Sequence, residues 1–449
     1  MTAPVRRAGV FAILCTLAFA VPLGGPWVGA AIAAVIVLGA VAVTDGPLFD
    51  LLAYPSDYKA GRLYGLITLV LAAATLGLIA VTTTMAVAVF VGTVLLVGYG
   101  NFAERLARGR TDHDVALVAV FCTVAAGSAV AGQAATRAVT DGNSLEALSG
   151  AIPTMVFLGA SGALLAALLR DVLFAQDDPV VMLAVGLLSW LLAELEPALS
   201  LTAGEITAAL AVTVALGYVS YALETASIAG MLTGILLGLL TIVLGGYGWF
   251  IVLISFFAIG GLSSKFRYEQ KAELGVAEDN DGARGSGNVL GNAAVAIAAV
   301  LGYAASSATM LPGDPDPNLF LFAFAGSVAT AMSDTLSSEI GSVFDTPRLI
   351  TTLEPVEPGT DGGVTWQGEV AGIAGAVVVA GISYVLFPAV TPVGAAIIVA
   401  AGVVGMTVDS LLGATLEGTV LGNQGVNFLA TLSGALVCAL LVVSFAILG

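Results

Sequence analysis

The chain has 449 residues, of which 58% are hydrophobic and only 10% charged, and apolar runs of about twenty residues recur along it, which excludes a soluble globular fold and points to an all-α polytopic membrane protein. Its 14 Lys and Arg stand against 31 Asp and Glu, a balance that excludes a nucleic-acid partner and is typical of proteins made for high salt. Cys15, Cys122 and Cys438 lie singly in apolar runs, so neither a disulfide nor a zinc site is indicated.

Arg6 and Arg7 precede an apolar stretch that ends at Pro22; further spans follow directly, so it reads as an uncleaved first anchor. Hydropathy predicts about fifteen transmembrane helices, at 8–24, 27–43, 62–81, 83–100, 114–132, 150–168, 179–193, 205–221, 226–244, 247–262, 289–310, 318–337, 368–387, 393–412 and 425–447. With the N-terminus cytoplasmic, thirteen of the fourteen basic residues fall inside and only Arg137 falls outside, as the positive-inside rule expects. His113, the one histidine, lies between Asp112 and Asp114 at a span end and reads as a solvated residue.

Polar punctuation concentrates in the second half, on the cytoplasmic side. The loop 263–288 begins with Lys265, Arg267 and Lys271, which read equally well as topology determinants, and continues through an acidic, Gly-rich linker to Arg284 and Asn288. The stretch SDTLSSEIG (333–341) follows an apolar run without a turn signal. On a helix, Asp334 and Ser338 share one face, and Thr335 and Glu339 the next. Carboxylates at a span edge persist when paired, metal-bound or functional, and an all-oxygen patch suits Mg²⁺ with a substrate phosphate; a helix-packing polar cluster is the alternative. The loop 338–367 carries Pro347, Pro355 and Pro358 and the turn Gly359-Thr360-Asp361-Gly362-Gly363, whose backbone amides could cradle an anion. Asp409, in GMTVDSLLGATLEG, repeats the Asp-hydroxyl-Leu pattern, and its face adds Gly413 and Glu417. Asn423 and Asn427 open the last span, so that Asp334, Glu339, Arg348, Asp409 and Asn427 are expected at one depth on one side of the membrane.

Together SDTLSSEIG, PRLITTLEPVEPGTDGGV (347–364), VDSLLGATLEG (408–418) and NFLATLSGAL (427–436), preceded by RGSGNVLGNA (284–293), resemble the membrane family that contains plant phytyl-phosphate kinase and animal transmembrane protein 19. The resemblance covers about 204–449. It departs at Asn288, where the family has Gln, at Ala293, where it has Gly, and at Asn423-Gln424, where it has Asn-Asn. It implies transfer of a phosphoryl group from a nucleoside triphosphate, CTP in the plant case, to a prenyl monophosphate such as phytyl or geranylgeranyl phosphate. The site it implies has Asp334, Glu339, Arg348 and Asp409 as catalytic residues, with Mg²⁺ on Asp334, Glu339 and Asp409. Substrate and nucleotide phosphates would be bound by Lys265, Arg284, Asn292, Thr335, Ser338, Glu354, Glu357, Gly359, Thr360, Gly362, Gly363, Ser410, Asn423 and Asn427. Residues 1–203 faintly resemble the phytol and dolichol kinase group through YGNFAERLARGRTDHD (99–114), with Asn101 where such enzymes carry an aspartate; this implies a degenerate scaffold or lipid-binding half.

The inventory fits that chemistry on its own terms. A prenyl monophosphate is already an anion near neutral pH, so the transfer needs metal, cations and alignment rather than a general base. The isoprenoid chain would lie between helices of the cell membrane, with its phosphate at the cytoplasmic face. A lipid-phosphate cytidylyltransferase needs nearly the same groups and stays open, as does a transporter, although a transporter places its ionisable groups near mid-span.

Overall fold

The computed structural model describes residues 3–140, 142, 145–173, 178–199, 201–273, 285–344 and 346–445. Contacts divide the chain into two units, Met1–Ala208 and Ala209–Gly449. The first holds α1 (Ala3–Cys15), a 3-10 turn leading into α2 (Ala20–Gly24), α3 (Pro26–Ala42), α4 (Gly46–Leu52), α5 (Pro55–Ala60), α6 (Tyr64–Thr82), α7 (Val87–Ala107), α8 (Asp114–Thr140), α9 (Leu145–Val172) and α10 (Asp178–Leu199). Across the boundary runs α11 (Ala203–Ala222). The second unit continues with α12 (Ile228–Gly245), α13 (Tyr247–Ser264), the short α14 (Tyr268–Glu273), α15 (Ser286–Ser307), α16 (Pro317–Gly341), strands β1 (Arg348–Leu349) and β2 (Gly363–Val364), α17 (Trp366–Leu386), α18 (Pro392–Leu416) and α19 (Asn423–Ser444).

This is an all-α polytopic membrane protein. Among the described residues, 14 helices are long and apolar enough to cross a membrane. The expected span at 27–43 is α3, 17 residues long. It meets α4 at a 115° bend and makes a fifteenth span if that pair counts as one. Gly46, at φ +84°, and Pro47 in the first turn of α4 break the helix there.

In the second unit α16 is the central helix, packed by α13, α15, α17, α18 and α19. Its start is fixed by Asp316, whose side chain accepts from Asn318 N, with Pro317 in the first turn. Thr365 and Thr391 cap α17 and α18 in the same way, accepting from Gly368 N and Gly394 N. Small residues bring the neighbours to backbone distance, as membrane helices require in the absence of a hydrophobic drive between them. A Cβ on Gly405 of α18 would lie 2.1 Å from Thr330 Oγ1, and one on Gly372 of α17 would lie 2.8 Å from Ser333 O. Gly405→Ala should therefore cost about 1 to 3 kcal/mol by overpacking, measured as lowered thermal stability in detergent, and Thr330→Ala should recover part of the loss.

The two ends of this bundle differ in chemistry. At one, Trp249 packs against Tyr303, Phe324 and Phe387 at centroid distances of 4.7, 4.6 and 6.0 Å. At the other, α16 and α18 stop where α15, α17 and α19 begin, and this is the polar end. The proline-rich connection from α16 to α17 is a loop, as its composition predicts, closed by antiparallel pairing of Arg348 with Val364 and Leu349 with Gly363.

Candidate functional site

The polar helix ends enclose a cavity of about 640 Å³. One wall is acidic. Asp334 on α16 and Asp409 on α18 lie against each other, and among the described residues Asp409 Oδ1 is buried without a hydrogen-bond partner. Carboxylates brought together repel unless a proton or a cation lies between them. Lower on the same wall Glu417 follows the end of α18; burial first, and then the charge of Asp361, push its carboxyl above the usual range, while a hydrogen bond from Asn423 opposes the shift.

The facing wall is built of carboxamides: Asn288 and Asn292 on α15, and Asn423, Gln424 and Asn427 on α19. Glycines let these two helix starts meet, since a Cβ on Gly287 would lie 2.4 Å from Gln424 Nε2 and one on Gly291 would lie 3.1 Å from Gln424 O. Asn427 Nδ2 donates to Asn423 Oδ1 at 3.1 Å, and Asn292 Nδ2 donates to Asn288 O at 3.0 Å.

Of the residues expected from the sequence, Asp334, Thr335, Ser338, Glu339, Asn292, Gly359, Thr360, Gly362, Gly363, Asp409, Ser410, Asn423 and Asn427 all line this cavity. The three-carboxylate metal set does not form. Among the described residues no three His, Cys, Asp or Glu side chains converge on one point. Glu339 is drawn aside by Lys271, whose Nζ lies 2.5 Å from Glu339 Oε2 and 2.6 Å from Ser264 O. Asp334 and Asp409 remain as a pair, with a buried acceptor oxygen that suits a hard cation; Mg²⁺ is commonly held by one or two carboxylates and completed by substrate phosphate and water.

Lys271, which the sequence presents as a topology determinant beside Lys265 and Arg267, is the residue whose place the sequence does not show. Its side chain is only 2% exposed, because the chain reverses at Arg267, at φ +48°, and α14 folds back over the end of α13. There Lys271 caps the last carbonyls of α13, and Gln270 Nε2 donates to Val343 O at 3.2 Å, which ties α14 to the end of α16.

Other expected groups stand away. Arg348 is exposed, donates to Leu353 O at 2.7 Å and braces the hairpin; it does not line the cavity. Lys265 is exposed and donates to Leu223 O at 3.2 Å. Glu354 and Glu357 are exposed on the loop and also do not line the cavity. Arg284 lies outside the described residues, next to Gly285, which does line it. In the Gly359–Gly363 turn, Gly363 N is committed to Thr360 O at 2.8 Å and Thr360 N to Glu357 O at 3.2 Å, which takes these two amides out of the expected anion cradle. Gly362, at φ +74°, is there for close approach: a Cβ would lie 2.5 Å from Ala414 Cβ and 2.6 Å from Ser410 O.

In the first unit Asn101 joins a closed ionic network. Its Nδ2 donates to Asp178 Oδ2 at 2.8 Å, and Arg170 pairs with Asp178 and, at 3.2 Å, with Glu104. A separate apolar cavity of about 400 Å³ lies among α2, α3, α6 and α7, lined by Val21, Ile36, Leu69 and Val94 among others.

The family model described as integral membrane protein DUF92 matches residues 211–435. An uncharacterized membrane protein of Methanocaldococcus jannaschii is 34% identical over 218 residues, which is 47% of this chain and 84% of that protein. The chloroplast protein VTE6 of Arabidopsis thaliana is 32% identical over 221 residues, covering 48% of this chain and 65% of that protein. An uncharacterized membrane protein of Synechocystis sp. is 31% identical over 209 residues, covering 43% and 74%. No solved structure matches. Through its second unit, which carries the whole acid-and-amide cavity, the chain belongs to the DUF92 family of integral membrane proteins.

Proposed function

We propose that the second unit transfers the terminal phosphoryl group of a nucleoside triphosphate, CTP in the first instance, to a prenyl monophosphate, giving the diphosphate. The observation that carries the reading is the meeting of a carboxylate pair and a wall of amides and helix starts in one cavity at the polar end of a membrane bundle. The family resemblance of the five motifs at and near that cavity supports it.

An oxygen of the acceptor phosphate attacks the donor's terminal phosphorus, the bond to the bridging oxygen breaks, and the nucleoside diphosphate leaves. The nucleophile is already anionic, so no side chain has to accept a proton. Asp334 and Asp409 would hold Mg²⁺, which, when bound, neutralises charge on the transferring phosphoryl group. Their oxygens orient the donor's end of the cavity. On the facing wall Asn288, Asn292 and Asn427 supply donors without adding positive charge. No Lys or Arg lines the cavity among the described residues, so the phosphate charge falls to the cation and to helix N-termini. Incubation of the purified protein with geranylgeranyl phosphate and CTP labelled at either the γ- or the α-phosphate tests the reading. Label in the lipid from the γ-position alone is expected; label from the α-position would make the protein a cytidylyltransferase.

The cavity is proposed to face the cytoplasm, from the distribution of basic residues in the sequence. In a background with Cys15, Cys122 and Cys438 replaced by alanine, Asp361→Cys should react with an impermeant thiol reagent from the cytoplasmic side only, and Asp314→Cys from the outside only. The reverse pattern would overturn the orientation.

A further inference from the structure

The first turn of α15 lines the cavity through Gly285, Gly287 and Asn288, and no side chain caps it at Gly285. Its first backbone N–H groups have no partner within the helix, and the helix dipole favours negative charge there. Thr335 points to the same ligand independently. Its side chain is 7% exposed, it lines the cavity, and among the described residues its hydroxyl has no hydrogen-bond partner. Other helical threonines of this unit behave differently: Thr330, Thr407, Thr415 and Thr431 each donate to the carbonyl four residues back. A hydroxyl left unspent on an otherwise buried side chain, in the cavity that the first turn of α15 also lines, is a phosphate contact in waiting.

Next to Asn288, Val289 turns to a second cavity, an apolar cleft between α11, α12 and α13. Gly230, Gly234 and Gly261 line it together with Leu253 and Phe257. At Gly234 and Gly261 a Cβ would meet nothing within 4 Å, whereas at Gly217 and Gly238, in the same cleft, it would strike Ile235 at 2.4 Å and Thr213 at 2.9 Å. The open glycines thus leave room that their neighbours do not. At about 90 Å³ the cleft takes only the part of a chain nearest its head group, and the rest belongs to the bilayer.

We infer that the N-terminus of α15 and the Thr335 hydroxyl hold the phosphate of the acceptor, and that the glycine-lined cleft holds the start of its apolar chain. The carboxylate pair is thereby left to the nucleotide. The naming of the acceptor as a prenyl monophosphate, and of the other ligand as a nucleotide, rests on the proposed function. The acceptor's polar head and apolar tail match two cavities lined by consecutive residues of α15, Asn288 and Val289.

The test uses the full chain in nanodiscs and measures binding of labelled geranylgeranyl phosphate, of geranylgeraniol and of a nonhydrolysable nucleotide. At Gly234 a Cβ meets nothing within 4 Å, so Gly234→Leu fills the cleft from an open position; with wild-type thermal stability verified, it should weaken geranylgeranyl phosphate by about tenfold or more and leave nucleotide binding unchanged. Thr335→Val should weaken the phosphate but not the alcohol, and Thr335→Ser should restore it. Equal binding of geranylgeranyl phosphate by the wild type and Gly234→Leu, equal loss of nucleotide binding in Gly234→Leu, or no binding by the wild type would each overturn the inference. If the expected binding pattern is found without phosphoryl transfer, the acceptor site stands and the kinase reading fails. If the wild type turns the lipid over and Gly234→Leu leaves its KM unchanged, the kinase reading stands and the acceptor site lies elsewhere.

Discussion

Asp409→Asn is expected to lower Mg²⁺-dependent phosphoryl transfer by at least about 10²-fold while leaving the protein folded and, in metal-free buffer, more heat-stable than the wild type. The two effects have one cause. Among the described residues Asp409 lies against Asp334 with one oxygen buried and unpartnered, an arrangement that would cost stability without a cation and, on the proposed function, would give the site its affinity for one. Asparagine has the same shape and no charge, so it removes the repulsion and the ligand together. Asp334→Asn should act alike. A fall in stability together with activity would instead mark the pair as a packing element. Full activity in either variant would remove that residue from the site.

The largest effect on folding is expected at Lys271. It is 2% exposed, its partner Glu339 is 11% exposed, and their atoms are 2.5 Å apart. Lys271→Met would leave a carboxylate at the cavity edge without its cation and the last carbonyls of α13 without their donor. Breaking a buried pair from one side costs about 3 to 5 kcal/mol, and thermal unfolding of the purified protein should show it. Lys271→Met combined with Glu339→Gln removes both charges and should recover most of that loss, because the greater part of it is the penalty for the orphaned carboxylate. If the double variant is no more stable than Lys271→Met alone, the pair is not what holds α14 against α16.

The fold was legible wherever hydropathy alone decides it. Each expected span corresponds to a helix, and the one that falls short, α3, is followed by Asp45-Gly46-Pro47, a break visible in the sequence. That Asp334, Asp409, Asn292, Asn423 and Asn427 gather at one polar end was also legible, because polar side chains at the ends of apolar helices have few structural reasons to be there; Asn288 and Gln424, which also line the cavity, were not singled out. What the sequence did not reveal were pairings made across loops. Lys271 reads as an ordinary basic residue near a span end until the reversal at Arg267 folds it inward. Arg348 carries the right charge in a family motif, yet the pairing of β1 with β2 sets it on the outside. The Gly362–Gly363 step has the composition of a phosphate loop, and close packing against α18 explains Gly362 without one.

The cation binding proposed for the carboxylate pair can be tested without turnover. Mn²⁺, followed by electron paramagnetic resonance in the presence of a nonhydrolysable nucleoside triphosphate, reports whether the cavity holds the metal and the nucleotide together. One tightly bound Mn²⁺ per chain is expected in the wild type, with the signal of bound metal lost in Asp334→Asn/Asp409→Asn and retained in Glu339→Gln. Binding undiminished in the double variant, or lost only in Glu339→Gln, would contradict the assignment of the metal, and with it the phosphoryl-transfer site, to this pair.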